Sequence, residues 1–420
     1  MNDKNRKNLG IYLRQKRESL GADIPQFARF LGMRESQCSN AKIEDWENGL
    51  AEPSRRLMDF IDSIPDFRRA GKDKALFKFI DLFAGIGGVR IPFDELGGEC
   101  VFTSEWDKFA QRTYAFNFGE IPHGDITKIG SHEIPSHDLL LAGFPCQAFS
   151  QAGLRRGFAD TRGTLFFEVH RILAHHRPRA FLLENVKQLR GHDKGRTLQT
   201  ILNVLRGDTS ALLPDDIELS DEARDSLGNQ LNYDVDYRVL SSNHFGVPQR
   251  RERIYIVGFE KSLVGKDGEG LATKILDSVS DNRAHTRLGD VLEEGSKIRE
   301  RYTISDRLWE GHQRRLIKHR AKGNGFGFSL FNKESEYCNT ISARYYKDGS
   351  EILIDQSHLG LNPRKLTPRE CARIQGFPES FNLRAASDPQ LYKQFGNSVS
   401  VPVIRAIAAE MVRALANGND

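Results

Sequence analysis

The sequence predicts an α/β protein built on a doubly wound, mostly parallel sheet covered by helices on both faces. A small all-helical unit precedes it, and an irregular polar region is inserted ahead of its last helix. From Phe77 onward, short continuous apolar runs alternate with amphipathic segments, which is how strands buried on both faces read. Residues 8–62 instead keep helical spacing, and residues 262–360 lose both periods. At 420 residues the chain has room for two or three domains, at roughly 100–200 residues each.

In the helical unit, 1–65, apolar positions recur at helical spacing over 9–20. A short helix over 24–32 is stopped by Gly32, another spans 37–48 with Trp46 before Gly49, and Pro53 opens a further one through Phe60 and Ile61. A short helix, a turn with Gly32 and a polar helix make a helix-turn-helix pattern. The run from Leu13 to Gly49 resembles the phage-repressor class of DNA-binding domains, Trp46-Glu47-Asn48-Gly49 matching the end of its recognition region, although the loop before it is long. A generic helical bundle, used for packing or dimerisation, is the alternative. Residues 66–76 are polar, without apolar period, and read as a linker.

The α/β domain, 77–261, takes its strands from Phe79-Ile-Asp-Leu-Phe, Cys100-Val-Phe-Thr, Asp138-Leu-Leu-Leu-Ala, Ala180-Phe-Leu-Leu-Glu and Ile254-Tyr-Ile-Val-Gly. An acidic stretch over 206–230 reads as a surface excursion. After the irregular region 262–360, residues 361–420 are expected to return to the sheet, with a closing helix over 400–416.

The net charge of +4 is too small to name a partner, but it hides a basic segment. Within 297–322, Lys297, Arg299, Arg301, Arg307, Arg314, Arg315, Lys318, Arg320 and Lys322 face only Glu300, Asp306 and Glu310. A solvated helical face would read the same way. Neither an apolar signal core nor a run of about 18 apolar residues occurs, so no membrane is expected and a cytoplasmic location is. The 5 cysteines are scattered, without a Cys-x-x-Cys pair, which disfavours a disulfide framework and a zinc site and leaves a nucleophile open.

Asp81-Leu-Phe-Ala-Gly-Ile-Gly-Gly88 closes the first strand with glycines that let backbone approach a ligand. Glu105 follows at the end of the second strand, where an acid can accept from ribose hydroxyls, and Asp125 follows the next apolar segment. Cys146, in Gly143-Phe-Pro-Cys-Gln-Ala-Phe-Ser150, lies past the third strand at the edge where open α/β sheets bind ligands. Buried packing is the commoner fate of a free cysteine, but this one sits in a Pro-constrained loop. Glu184-Asn185 ends the next strand, so a thiol and a carboxylate can converge, and Gln249-Arg-Arg-Glu-Arg253 can bring guanidinium groups to the same edge.

The ordered set Asp81–Gly88, Pro145-Cys146-Gln147, Glu184-Asn185-Val186, Gln249-x-Arg251-x-Arg253, Arg369-Glu-Cys-Ala-Arg-Ile-Gln-Gly-Phe-Pro378 and Gly396-Asn397-Ser398-Val399 resembles the bacterial DNA (cytosine-5) methyltransferases of restriction-modification systems, over about 77–415. Ala148 departs from the frequent proline there, and the 206–230 insertion lengthens a loop. The resemblance implies a Rossmann-like, S-adenosylmethionine-dependent methyltransferase domain with no metal. It makes Cys146 the nucleophile at carbon 6 of cytosine, Glu184 the proton-bearing partner of ring nitrogen 3, Arg253 the holder of the base carbonyl oxygen and Arg251 its support. It gives the cofactor Phe83 and Trp106 against adenine, Glu105 at the ribose, Asp125 and Ile126 at the adenine, and Gly85, Gly87, Pro145, Leu165, Asn397 and Val399 as further lining.

A base in stacked duplex must be rotated out to react, so double-stranded DNA is the implied partner, with residues 262–360 as an irregular target-recognition domain whose basic window meets phosphates. Asn339-Thr-Ile-Ser-Ala-Arg-Tyr-Tyr-Lys-Asp-Gly-Ser-Glu-Ile-Leu-Ile354 resembles the recognition segment of enzymes modifying CCWGG or CCNGG, and more loosely CCGG, with the inner cytosine favoured. Catalysis calls for a monomer. Repression of its own gene through operator DNA, with a dimer allowed, is a second expectation for the helical unit. Transfer RNA is the competing substrate, because one branch of the family shares these motifs. A dehydrogenase reading of the glycine loop would leave Cys146, Glu184 and Arg253 without a task.

Overall fold

A computed structural model describes residues 3–33, 36–67, 75–145, 165–208, 219–264, 270–279, 286–324 and 327–417. The sheet has six strands, β1 (Phe77–Leu82), β2 (Gly98–Ser104), β3 (Leu139–Gly143), β4 (Ala180–Val186), β5 (Tyr233–Ser241) and β6 (Glu252–Glu260), in the order β2-β1-β3-β4-β6-β5. The first four are parallel. β6 runs antiparallel to both β4 and β5, so the sheet is mixed but mostly parallel, with five strands in one direction and β6 opposed to them. β5 was not anticipated, because its inward and outward residues alternate at a half-covered edge and give no continuous apolar run.

Helices of the head are α1 (Asp3–Ser19), α2 (Ile24–Phe30), α3 (Gln37–Glu47) and α4 (Arg55–Asp62); those of the sheet region are α5 (Arg90–Glu95), α6 (Lys108–Phe118), α7 (Leu165–His176), α8 (Arg196–Arg206), α9 (Asp221–Ser226), α10 (Lys261–Val264) and α11 (Leu271–Ser278). Beyond these come α12 (Ser296–Tyr302), α13 (Asp306–Ala321), the two-stranded β7 (Leu330–Phe331) and β8 (Leu353–Ile354), α14 (Tyr345–Asp348), α15 (Pro368–Arg373), α16 (Asp388–Asn397) and α17 (Val401–Asn417).

Alternation along each strand sends Ile80, Leu140 and Phe181 to one face, where α7 and α8 cover them, and Phe79, Leu141 and Leu182 to the other, under α5, α11 and α17. Apolar burial on both faces thus fixes the double winding and leaves the carboxyl ends of β1 to β4 free for chemistry.

Three boundaries differ from the sequence reading. The acidic stretch is not wholly a surface excursion: Ala223 of α9 is buried in the sheet core, Glu222 pairs with Arg171 at 3.0 Å, and Ser220 donates to Glu168 at 3.0 Å. α11, numbered with the irregular region, packs Ala272, Ile275 and Leu276 into the same core as α17. Residues of α15 and α16 pack with Cys338, Ile341 and Tyr345 in the smaller region, so α17 is the part that returns to the sheet. Polar composition hid all three, because it reports exposure and not the partner an apolar face finds.

The head is docked. α2 begins at Asp23, whose side chain caps Gln26, and α3 at Ser36, which caps Ser39. Phe27, Phe30, Ile43, Trp46 and Ile61 form a core that also takes in Ala115, Phe116 and Ile121 beside α6. Arg112 of α6 donates to the Phe30 carbonyl at 3.1 Å and stacks 4.8 Å from the Phe60 ring centre.

Candidate active site

β3 delivers Phe144 and Pro145 to the carboxyl edge of the sheet; Cys146 lies outside the described residues. The neighbouring β4 ends in Glu184 and Asn185. Asn185 is buried and donates from Nδ2 to the Phe144 carbonyl at 3.1 Å, which pins the start of the Pro145 loop to β4. On the antiparallel β6, Arg253 stands opposite Val186 and Tyr255 opposite Glu184. Arg253 Nε lies 3.2 Å from Glu184 Oε1. Burial raises the Glu184 carboxyl above its ordinary range, while Arg253 and Arg251 oppose the rise.

Arg251 does different work. It is buried, donates to the Ile341 carbonyl at 3.1 Å and to those of Gly396 and Ser398, and burial with Arg253 beside it pushes its guanidinium down to about 9. It therefore ties β6 to residue 341 of the recognition-like string and to the end of α16. The same seam continues where Arg250 donates to the Cys338 carbonyl at 2.8 Å and accepts from Thr340 at 2.7 Å.

A second cluster stands at the ends of β1 and β2. Phe83 has φ 55°, a left-handed conformation that is costly for a bulky residue and marks a constrained site. Gly85 has φ 56° with open space where a Cβ would stand, whereas at Gly87 a Cβ would come within 2.2 Å of the Phe118 ring. No described atom lies within 4 Å of that Cβ position at Gly85, whereas Gly87 is small for packing. Glu105 is buried and accepts from the Gly85 amide at 2.8 Å and the Asp107 amide at 2.7 Å. Burial raises its carboxyl and those amides oppose it. Trp106 beside it is 80% exposed, a large indole with one face to solvent.

The other expected residues divide. Asp125 uses Oδ1 to cap Thr127, and Ile126 is buried in the sheet core. Leu165 opens α7 and is half-buried, as is Pro145, while Asn397 is exposed. Val399 is buried and packs on the α17 side of the sheet. Two residues carried no individual role in the sequence reading. Asp81 is buried at the end of β1, without a hydrogen-bond partner among the described residues, and burial pushes its carboxyl up to about 8. Tyr255 is the cross-strand neighbour of Glu184. Asp81 was visible as the first residue of the glycine motif; Tyr255 could have been found from its two-residue spacing after Arg253.

The strained Phe83, the open Gly85, the acid Glu105 and the exposed Trp106 fit a nucleoside: an aromatic wall, close backbone and a hydroxyl acceptor. Such a cradle and a carboxylate–guanidinium pair, carried by one mixed sheet of this order, define an α/β methyltransferase.

The chain belongs to the C-5 cytosine-specific DNA methylases, whose family profile matches residues 77–208 and 223–413. It is 57% identical over 340 residues to the Type II methyltransferase M.DsaV of Dactylococcopsis salina, covering 81% of this chain and 87% of that one. It is 48% identical over 413 residues to the Type II methyltransferase M.SsoII of Shigella sonnei, covering 97% and 99%. Its fold also matches the structure of the Entamoeba histolytica methyltransferase EhMeth, with a TM-score of 0.61 at 18% identity over 82% of this chain and 99% of that one.

Proposed function

We propose that the protein methylates carbon 5 of a cytosine rotated out of a short duplex site of the CCNGG or CCWGG type, less readily CCGG, and so protects DNA from a cognate restriction endonuclease. The observation that carries this reading is the Glu184–Arg253 pair at 3.2 Å, next to Gly143 of β3, three residues before Cys146 in the sequence.

In this reading the Cys146 thiolate adds to carbon 6 of the ring. Glu184, whose carboxyl burial raises above its ordinary range against the pull of Arg253 and Arg251, gives a proton to ring nitrogen 3 as negative charge develops there, and Arg253 holds the carbonyl oxygen. S-adenosylmethionine supplies the methyl group that carbon 5 then accepts. Loss of the carbon 5 proton expels Cys146. Phe83 and Trp106 flank the adenine, Glu105 accepts from the ribose, and Gly85, Asp125, Leu165, Asn397 and Val399 complete the cradle. No described helix is long and apolar enough to cross a membrane, and a cytoplasmic enzyme acting as a monomer suits the reaction.

Target reading belongs to the smaller region. Arg344, Tyr346 and Lys347 are exposed on the string that Arg251 ties to the site, and the exposed Arg307, Arg314 and Lys318 of α13 suit phosphates. Transfer of labelled methyl from S-adenosylmethionine to duplex DNA, competed with transfer RNA, tests the reading. Incorporation into duplex supports it; incorporation into transfer RNA alone, or full activity in Cys146→Ala, overturns it.

A second reading concerns the head. Ile43 and Trp46 of α3 face the core while Gln37, Cys38, Ala41 and Lys42 face solvent, the disposition of a helix that enters a major groove. Operator binding near its own gene, with repression as outcome, is tested by gel shift of the upstream promoter with the full chain carrying Cys146→Ala. No shift removes it.

A further inference from the structure

The antiparallel register sets Tyr255 directly opposite Glu184 and Arg253 directly opposite Val186. Residues opposite one another share a face with their Cβ atoms about 4.5–5.5 Å apart, and alternate residues share it too. Glu184, Arg253 and Tyr255 therefore project to one side of the sheet. The Tyr255 ring lies in the core under α17 with Leu182 and Val257, fully buried. A phenylalanine would fill that space equally well.

The hydroxyl is the anomaly. Tyr255 OH is buried without a hydrogen-bond partner among the described residues, and so is Nε of Arg251. A buried donor left unmade is costly and calls for a task. The charges that act on the phenol are Glu184, Arg253 and Arg251, and those that act on Glu184 are Arg253 and Arg251. From β3 the residue facing the carboxylate is Gly143, which brings no titratable group. These four side chains form one polar island in an apolar layer.

We propose that Tyr255 is a positioning residue for Glu184: its hydroxyl donates through one bridging water to the carboxylate, with Arg251 Nε as second donor, and so sets when Glu184 carries its proton. The chemical use rests on the proposed cytosine reaction, since Glu184 must hold a proton before transfer and let it go afterwards. A donor aimed at the ionised form eases that return, and Arg251 links it to the recognition string.

The test is Tyr255→Phe in the full chain, read in two ways. If the phenol donates to the ionised carboxylate, its loss raises the Glu184 pKa, and the alkaline limb of the kcat profile moves up by about one pH unit with little change in KM for DNA. Independently of activity, the thermal stability deficit of Tyr255→Phe should grow as pH rises through the Glu184 titration and vanish in a Glu184→Gln background. A deficit that is the same at every pH, or that persists with Glu184→Gln, overturns the proposal. If the wild type transfers no methyl group at all, the functional reading fails while the stability cycle still decides the role of Tyr255.

Discussion

Arg253 Nε lies 3.2 Å from Oε1 of Glu184, with both side chains largely removed from water, so each sets the electrostatics of the other. Burial works against the Glu184 anion and Arg253 works for it. Replacing Arg253 with alanine removes the counter-charge and the guanidinium proposed to hold the base carbonyl. We expect kcat for methyl transfer to fall about 10²–10³-fold, the usual cost of one such donor, with partial recovery in Arg253→Lys. A variant within threefold of wild type would place Arg253 outside the chemistry.

Trp106 reports on the cofactor cradle. It is 80% exposed while Trp46 is in the head core, so Trp106→Ala should leave the thermal midpoint nearly unchanged. Cofactor affinity should drop by up to about tenfold, from the loss of a stacking wall worth roughly 0.5–1.5 kcal/mol. A thermal melt checks the first, and calorimetric titration of S-adenosylmethionine into wild type and Trp106→Ala checks the second; equal affinities would remove Trp106 from the cradle.

Asp81 makes the stability of the protein depend on pH. Its carboxyl is raised from 3.8 to about 8 by burial, with Asp94, Glu105 and Glu120 adding to the effect and Arg90 opposing it. Between those values the native state keeps a proton that the unfolded state has lost, so this contribution is complete below about 4 and declines up to about 8, by at most about 1.4 kcal/mol per pH unit. Asp81→Asn should remove the decline. Its melting temperature relative to wild type should climb between pH 5 and 8, and a constant offset would show that Asp81 does not titrate there.

Glu370 anchors the smaller region. It is fully buried, takes both Nη atoms of Arg364 at 2.8 and 2.7 Å, and accepts from the Thr367 amide at 2.7 Å. Removing one partner of a buried pair strands the other, so Glu370→Ala should cost about 3–5 kcal/mol in denaturant unfolding. A loss under 1 kcal/mol would mean that the pair is solvated.

The strands before residue 206 were legible because burial on both faces leaves continuous apolar runs, and so were the helices of the head, through Gly32, Gly49 and the apolar period. β5 was not, since a half-covered edge strand alternates and blends with its polar surroundings. Antiparallel β6 reads like a parallel strand because direction leaves no mark on composition. At the site, Glu105, Glu184 and Arg253 could be named from order and chemistry. What could not be read was the division between Gly85, where a Cβ would meet no described atom, and Gly87, which packs on Phe118. The same holds for Arg251, expected only as the support of Arg253, whose hydrogen bonds go to the carbonyls of Ile341 and Gly396. Those assignments depend on three-dimensional neighbours more than 30 residues away in sequence.

A bisulfite map of a plasmid expressing the protein tests the central claim most directly. The account predicts one protected cytosine on each strand of every copy of a short CC-GG site, and complete conversion of those cytosines when the plasmid encodes Cys146→Ala. A map without protected cytosines from wild type, or with the same cytosines protected by Cys146→Ala, would contradict it.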